Sequence, residues 1–219
     1  ENLRSFFQVE QVVTPAAVME RKATSSLADV INDLAHSDKR VVFTMGKGGV
    51  GKTTIAATIS LELAKQGRKV HLTTTDPAAH IRNVIDESFG ITMSRIDEKQ
   101  ELKKYREEVL KKAHETGATQ DDIDYIEEDL RSPCTQEIAV FRAFAEIVDR
   151  SEDEIVIIDT APTGHTLLLL ESTDNYDREN SRTQGETPES VKKLLPKLKD
   201  EKFTEVLIVT LPEATPYYE

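Results

Sequence analysis

Compact apolar runs alternate along this chain with stretches in which apolar positions recur every three or four residues, the pattern of strands alternating with helices. Four runs predict strands, at residues 40–45, 69–74, 154–158 and 205–210. Helical spacing predicts a lead-in element from Ser26 to Ala35 through Leu27, Val30, Ile31 and Leu34. A second helix spans 54–66, with Ile55, Ile59, Leu61 and Leu63 free to face a sheet and Gly67 as its stop. No strand signal is evident between 81 and 150. There a charged helix over 97–116 carries a thin apolar stripe (Leu102, Tyr105, Val109, Leu110) and ends at Gly117, and a shorter one runs from Thr119 to Leu130. Another starts at Ser132-Pro133 and carries Ile138, Phe141, Phe144 and Ile147. A last helix runs from Thr187-Pro188 to Leu198, interrupted or ended near Pro196. The expected fold is α/β: a mostly parallel sheet flanked by helices, with a helical excursion at about 81–150 between the second and third strands.

The turn after the first strand carries the clearest chemistry. Residues Gly46-Lys47-Gly48-Gly49-Val50-Gly51-Lys52-Thr53 fit the pattern G-x-x-x-x-G-K-[ST] between a strand and a helix, where glycines let backbone N–H groups turn towards phosphate oxygens. Lys52 adds a point charge for the β/γ-phosphates and Thr53 a hydroxyl for Mg²⁺, while Thr54 continues the first helical turn. Residues 40–219 therefore read as a P-loop nucleotide domain and 1–39 as a linker with the lead-in helix.

Composition narrows the partners. The 219 residues are long enough for one α/β domain with an excursion. A net charge of −12 without a basic cluster argues against a nucleic-acid groove. No apolar run approaches the ~20 residues of a spanning helix and no signal-peptide pattern opens the chain, so a cytoplasmic setting is expected. The single cysteine, Cys134, excludes an internal disulfide.

Two aspartates stand where the ends of strands would meet a nucleotide. Asp76 follows the second strand in Thr75-Asp76-Pro77; it is placed near the phosphates, or it forms a turn. Asp159 ends the third predicted strand, the Walker B position for a Mg²⁺-holding carboxylate. Cys134 sits in a helix's first turn, where the dipole favours a thiolate able to bind soft metals, or it packs as a small hydrophobe. His165 is either a structural loop histidine or a ligand. Thr215-Pro216 looks like the start of a helix that stops three residues later, so the chain reads as a fragment, C-terminally incomplete.

Lys47, a second lysine early in the loop, resembles the deviant P-loop ATPases. With Thr75-Asp76-Pro77-Ala78-Ala79-His80, Leu130-Arg131-Ser132-Pro133-Cys134-Thr135, the run from Asp159 to Thr166, and Leu211-Pro212-Glu213-Ala214-Thr215-Pro216, the chain resembles the arsenical pump-driving ATPase family over roughly 40–219, best in the second of its two homologous halves. The resemblance implies ATP and Mg²⁺ as ligands and As(III) or Sb(III) as activating ligand. It implies Lys47 reaching the nucleotide of a homologous half, fused or in a homodimer, and Asp76 orienting or deprotonating the attacking water. It further implies that Thr53, Asp76 and Asp159 hold Mg²⁺ directly or through water, and that Cys134 and His165, with Ser132 as a weaker candidate, bind metalloid, Cys134 and Ser132 from a helical insertion at about 81–150 and His165 from the run after Asp159. The partner implied is a membrane arsenite permease, which would make the protein peripheral to the membrane when bound to the pump.

The alternative from the same fold is an ATPase that targets tail-anchored membrane proteins. Eukaryotic members of that group carry a C-x-x-C pair and a Met- and Leu-rich groove, whereas this chain has one cysteine, three methionines and a charged 97–131 segment. A partition or positioning ATPase would need a basic or amphipathic contact not seen here.

Overall fold

A computed structural model describes residues 25–76, 90–160 and 189–212. Five parallel strands lie in the order β3-β2-β4-β1-β5, with β1 at Val41–Met45, β2 at Val70–Thr74, β3 at Thr92–Arg95, β4 at Ile155–Asp159 and β5 at Thr204–Ile208. The helices are α1 (Leu27–His36), α2 (Lys52–Lys65), α3 (Glu98–Glu115), α4 (Gln120–Asp129), α5 (Pro133–Asp149) and α6 (Glu189–Lys199).

The middle strands β1, β2 and β4 are buried on both faces; β1 and β4 accordingly read as near-continuous apolar runs, whereas β2 buries His71, Thr73 and Thr74 beside Val70 and Leu72. One face packs Val42, Leu72, Ile155 and Ile157 against Ile59 and Leu63 of α2 and Ile31 and Leu34 of α1. The lead-in helix is thus part of the core, and its start is locked by a capping box between Ser26 and Asp29. The opposite face packs Val41, Phe43, Val156 and Ile158 against Phe141 and Phe144 of α5 and Val191 and Leu194 of α6. There the Phe43 and Phe144 rings stack with centroids 5.9 Å apart. The expected α/β architecture with a parallel sheet and flanking helices is what the chain adopts.

Among the described residues of 81–150, one element departs from expectation. β3 adds a fifth strand before the helices begin, pairing in parallel with β2. Its sequence, Thr-Met-Ser-Arg, is short and polar and its ends are exposed at the sheet edge, so no apolar run announces it. What secures it is His71 of β2, with Nδ1 2.7 Å from the Thr92 hydroxyl and Nε2 2.8 Å from the Ser94 hydroxyl. The helices themselves follow the sequence. Asp97 caps α3, and Thr119 caps α4 in a capping box with Asp122. α2 closes in a Schellman pair, Arg68 N–H donating to the Leu63 carbonyl and Gly67 N–H to that of Ala64. α6 continues through Pro196 to Lys199.

α2, which follows β1, and α6, the first described helix after the neighbouring β4, pack on opposite faces of the sheet. That is the switch point where open α/β sheets bind ligands, at the carboxyl ends of the strands.

Candidate functional site

The phosphate loop begins at the carboxyl end of β1 and feeds α2, whose first residue is Lys52. Gly46 has φ 144°, and a Cβ there would fall 2.1 Å from the Val209 carbonyl oxygen, so only glycine fits where the loop passes the end of β5. Gly51, the N-cap of α2, holds a left-handed conformation with φ 96° and turns the chain into the helix. The first-turn N–H groups of α2, from Lys52 to Thr54, have no carbonyl partner within the helix and face the end of the loop. The buried Lys52 donates from Nζ to the Lys47 carbonyl at 3.0 Å, which keeps the ammonium inside the loop. Val50 is buried beneath it, while Gly48 and Gly49 are exposed.

Asp159 is 1% exposed at the end of β4. Parallel register sets Thr44 of β1 and Thr74 of β2 beside it on either side. Its carboxylate accepts from three hydroxyls: Thr53 on Oδ2 at 2.7 Å, Thr74 on Oδ2 at 3.3 Å, and Thr44 on Oδ1 at 3.4 Å. Burial holds the carboxyl above its ordinary range. The Thr53 and Thr74 bonds and the Lys52 charge pull it down, while the Asp76 charge adds to the rise. Thr160 fixes the strand end from below, donating from its hydroxyl to the Thr44 carbonyl at 2.8 Å.

Asp76 lies two residues past β2, half-buried, and its N–H donates to the Thr74 hydroxyl at 3.0 Å. Thus Lys47, Lys52, Thr53, Asp76 and Asp159 are carried by segments that converge on one edge of the sheet. Thr44 and Thr74 join them; neither sits in a local motif, and only the strand register would have pointed to them.

Thr53 and Asp159 suit Mg²⁺ by donor chemistry. A hydroxyl and a carboxylate are hard oxygen ligands, and a cation beside them would favour the ionised form that burial disfavours.

The residues expected to bind a soft metal are placed less fully. His165 lies outside the described residues, as does the Cys134 side chain. The backbone of Cys134 is the second residue of α5. α5 runs opposite to the strands, since it leads through the 3₁₀ turn Arg150–Glu152 into β4. At roughly 25 Å against roughly 16 Å for β4, it brings its first turn to or past the sheet's carboxyl edge. The Gln136 amide donates to Glu98 at 2.9 Å, setting that turn beside the start of α3. Ser132 immediately precedes it and its carbonyl accepts from Thr135 N–H at 3.1 Å. Among the described residues no group of three His, Cys, Asp or Glu side chains is arranged to hold a metal ion.

The fold and the loop define a P-loop nucleotide-binding protein. The family model described as "Anion-transporting ATPase" matches residues 39–184, and the chain belongs to that family. It is similar to two proteins of Escherichia coli, each named "Arsenical pump-driving ATPase". One is 42% identical over 99% of this chain and 38% of its own length, the other 46% identical over 89% and 33%. An "ATPase GET3" of Mycosarcoma maydis is 27% identical over 72% of this chain and 48% of its own length. The chain spans about a third of the length of the curated arsenical relatives it matches. Among the described residues no helix is long and apolar enough to cross a membrane.

Proposed function

We propose that this chain is one half of an ATPase that hydrolyses ATP to energise arsenite or antimonite efflux, with hydrolysis stimulated by metalloid bound between two homologous halves. The observation carrying the catalytic part is the Thr53 hydroxyl bonded to the buried Asp159 carboxylate at the mouth of the phosphate loop. Lys52 and the first amides of α2 bind phosphate oxygens, and Thr53 and Asp159 hold Mg²⁺ directly or through water. Mg²⁺ supplies charge neutralisation at the β- and γ-phosphates. Asp76 orients the attacking water, and Lys47 reaches the nucleotide of the other half.

The regulatory part rests on Cys134 and His165, with Ser132 as a weaker ligand. As(III) and Sb(III) are soft and take about three ligands; Cys134 is the one thiol of this sequence, and the reading has the other half supply further ligands. His165 follows Asp159 in the same segment, so metalloid binding and the Mg²⁺ site are linked through a short stretch of chain. The membrane partner is an arsenite permease, with the ATPase on the cytoplasmic side and peripheral to the membrane. The two Escherichia coli relatives named for an arsenical pump match at 42% and 46% identity against 27% for the ATPase GET3, and that ordering supports the metalloid reading over tail-anchored-protein targeting.

The test is ATP hydrolysis by the full-length protein with and without antimonite, in wild type, Lys52→Ala and Cys134→Ser. Hydrolysis is expected to vanish in Lys52→Ala, while Cys134→Ser keeps the basal rate and loses stimulation. A wild-type rate indifferent to antimonite would reject metalloid gating and favour targeting.

A further inference from the structure

The Thr74 hydroxyl touches both acidic segments of the site. It accepts from Asp76 N–H at 3.0 Å, and it lies 3.3 Å from Asp159 Oδ2 and 3.3 Å from the Asp159 carbonyl oxygen. The first bond closes a Ser/Thr-type turn that fixes how the chain leaves β2. Because an amide N–H occupies a lone pair of the hydroxyl, its single hydrogen is left for Asp159. The chain of bonds thus runs in one direction, from the Asp76 amide through Thr74 to Asp159. The Asp159 backbone is joined to the same turn, its carbonyl accepting from Thr75 N–H at 3.0 Å.

Thr44 provides the internal comparison. It flanks Asp159 at the same register on the other side and donates to Oδ1 at 3.4 Å, yet among the described residues no hydrogen bond joins its hydroxyl to the Asp76 segment. Of the two strand threonines that flank this carboxylate, only Thr74, among the described residues, also bonds the turn that carries Asp76.

We infer that Thr74 is a positioning residue for hydrolysis: its hydroxyl holds the Asp76 turn and the Asp159 carboxylate as one unit, so that the two carboxylates keep a fixed spacing. This rests on the ATPase reading above. Thr74 itself touches neither nucleotide nor water in this scheme, and its effect falls on the rate of turnover rather than on nucleotide binding, which the loop and Lys52 provide.

The experiment is steady-state ATP hydrolysis by the full-length protein in wild type, Lys52→Ala, Thr74→Val, Thr74→Ser and Thr44→Val. Valine preserves shape and removes the hydroxyl, so Thr74→Val is expected to lower kcat about tenfold to a hundredfold with KM for ATP changed less than about threefold. Thr74→Ser restores kcat to within a few-fold of wild type, and Thr44→Val is milder than Thr74→Val. If Thr74→Val is poorly folded by circular dichroism, Thr74→Ala is read in its place. Wild-type kcat in the valine variant, a serine variant as slow as valine, or an equal loss in Thr44→Val overturns the inference. If wild type itself shows no hydrolysis above Lys52→Ala, the ATPase reading falls, and this inference with it; an active wild type with an unaffected Thr74→Val removes this inference alone.

Discussion

The Thr53 hydroxyl donates to Asp159 Oδ2 at 2.7 Å across 106 residues of sequence, joining the first turn of α2 to the end of β4. Thr53→Ala removes both the bond and a proposed Mg²⁺ ligand. It is expected to lower kcat by about two orders of magnitude and to raise the Mg²⁺ concentration needed for half-maximal rate. Thr53→Ser keeps the hydroxyl and stays within a few-fold of wild type. Titrating hydrolysis with Mg²⁺ in the three proteins decides the matter.

Asp159 predicts opposite effects of one substitution with and without ligand. Its folded carboxyl is held above the ordinary value by burial, so its contribution to stability is present below that ordinary value and is lost as pH rises through the raised one. At neutral pH the ionised group burdens the ligand-free fold. Asp159→Asn should therefore match or exceed wild-type Tm without nucleotide at pH 7.5, with the difference shrinking as pH falls into the carboxylate range. The increment in Tm that Mg-ATP adds should be smaller in the variant than in wild type, because the loop and Lys52 still hold the phosphates while a proposed Mg²⁺ ligand is lost. A ligand-free Tm well below wild type would show that the carboxylate's hydroxyl bonds outweigh its burial.

Gly46→Ala tests the seat between the loop and β5. The new Cβ would press on the Val209 carbonyl, backbone that cannot swing aside, at φ 144°. A loss of roughly 2–5 kcal/mol is expected in urea unfolding. Gly49→Ala meets no atom within 4 Å and bears only the cost of its positive φ, about 1–2 kcal/mol. Equal losses at the two sites would contradict the close approach.

His71 makes the β3 edge acid-sensitive. Burial and then the Arg150 charge lower its value from 6.5 to about 4, with Glu154 opposing. A lowered folded value contributes stability above the unfolded one and loses it as pH falls, so the window runs from about 6.5 down to about 4. After solvent screening at the sheet edge, the loss is on the order of 1–2 kcal/mol. Hydrogen exchange should show β3 amides losing protection over that interval in wild type. His71→Gln should flatten this dependence.

Local pattern was enough to read much of this protein. The phosphate loop is legible because its glycines, Lys52 and Thr53 are neighbours in sequence, and β1 and β4 because burial on both faces favours near-continuous apolar runs. The helix starts near 97 and 119 are set within one turn and are equally legible, while the hydrogen bonds by which Asp97 caps its helix belong to the structure. Asp159 could be placed at a strand end by its own apolar run. Long-range register decided the rest. β3 is polar because it lies at an edge, so it becomes a strand only once His71 and β2 stand beside it. Thr44 and Thr74 look like ordinary strand threonines until parallel pairing sets both against Asp159. A hydrophobic run specifies that a strand will be buried, but only the order of the strands in the sheet determines which side chains meet at its carboxyl edge.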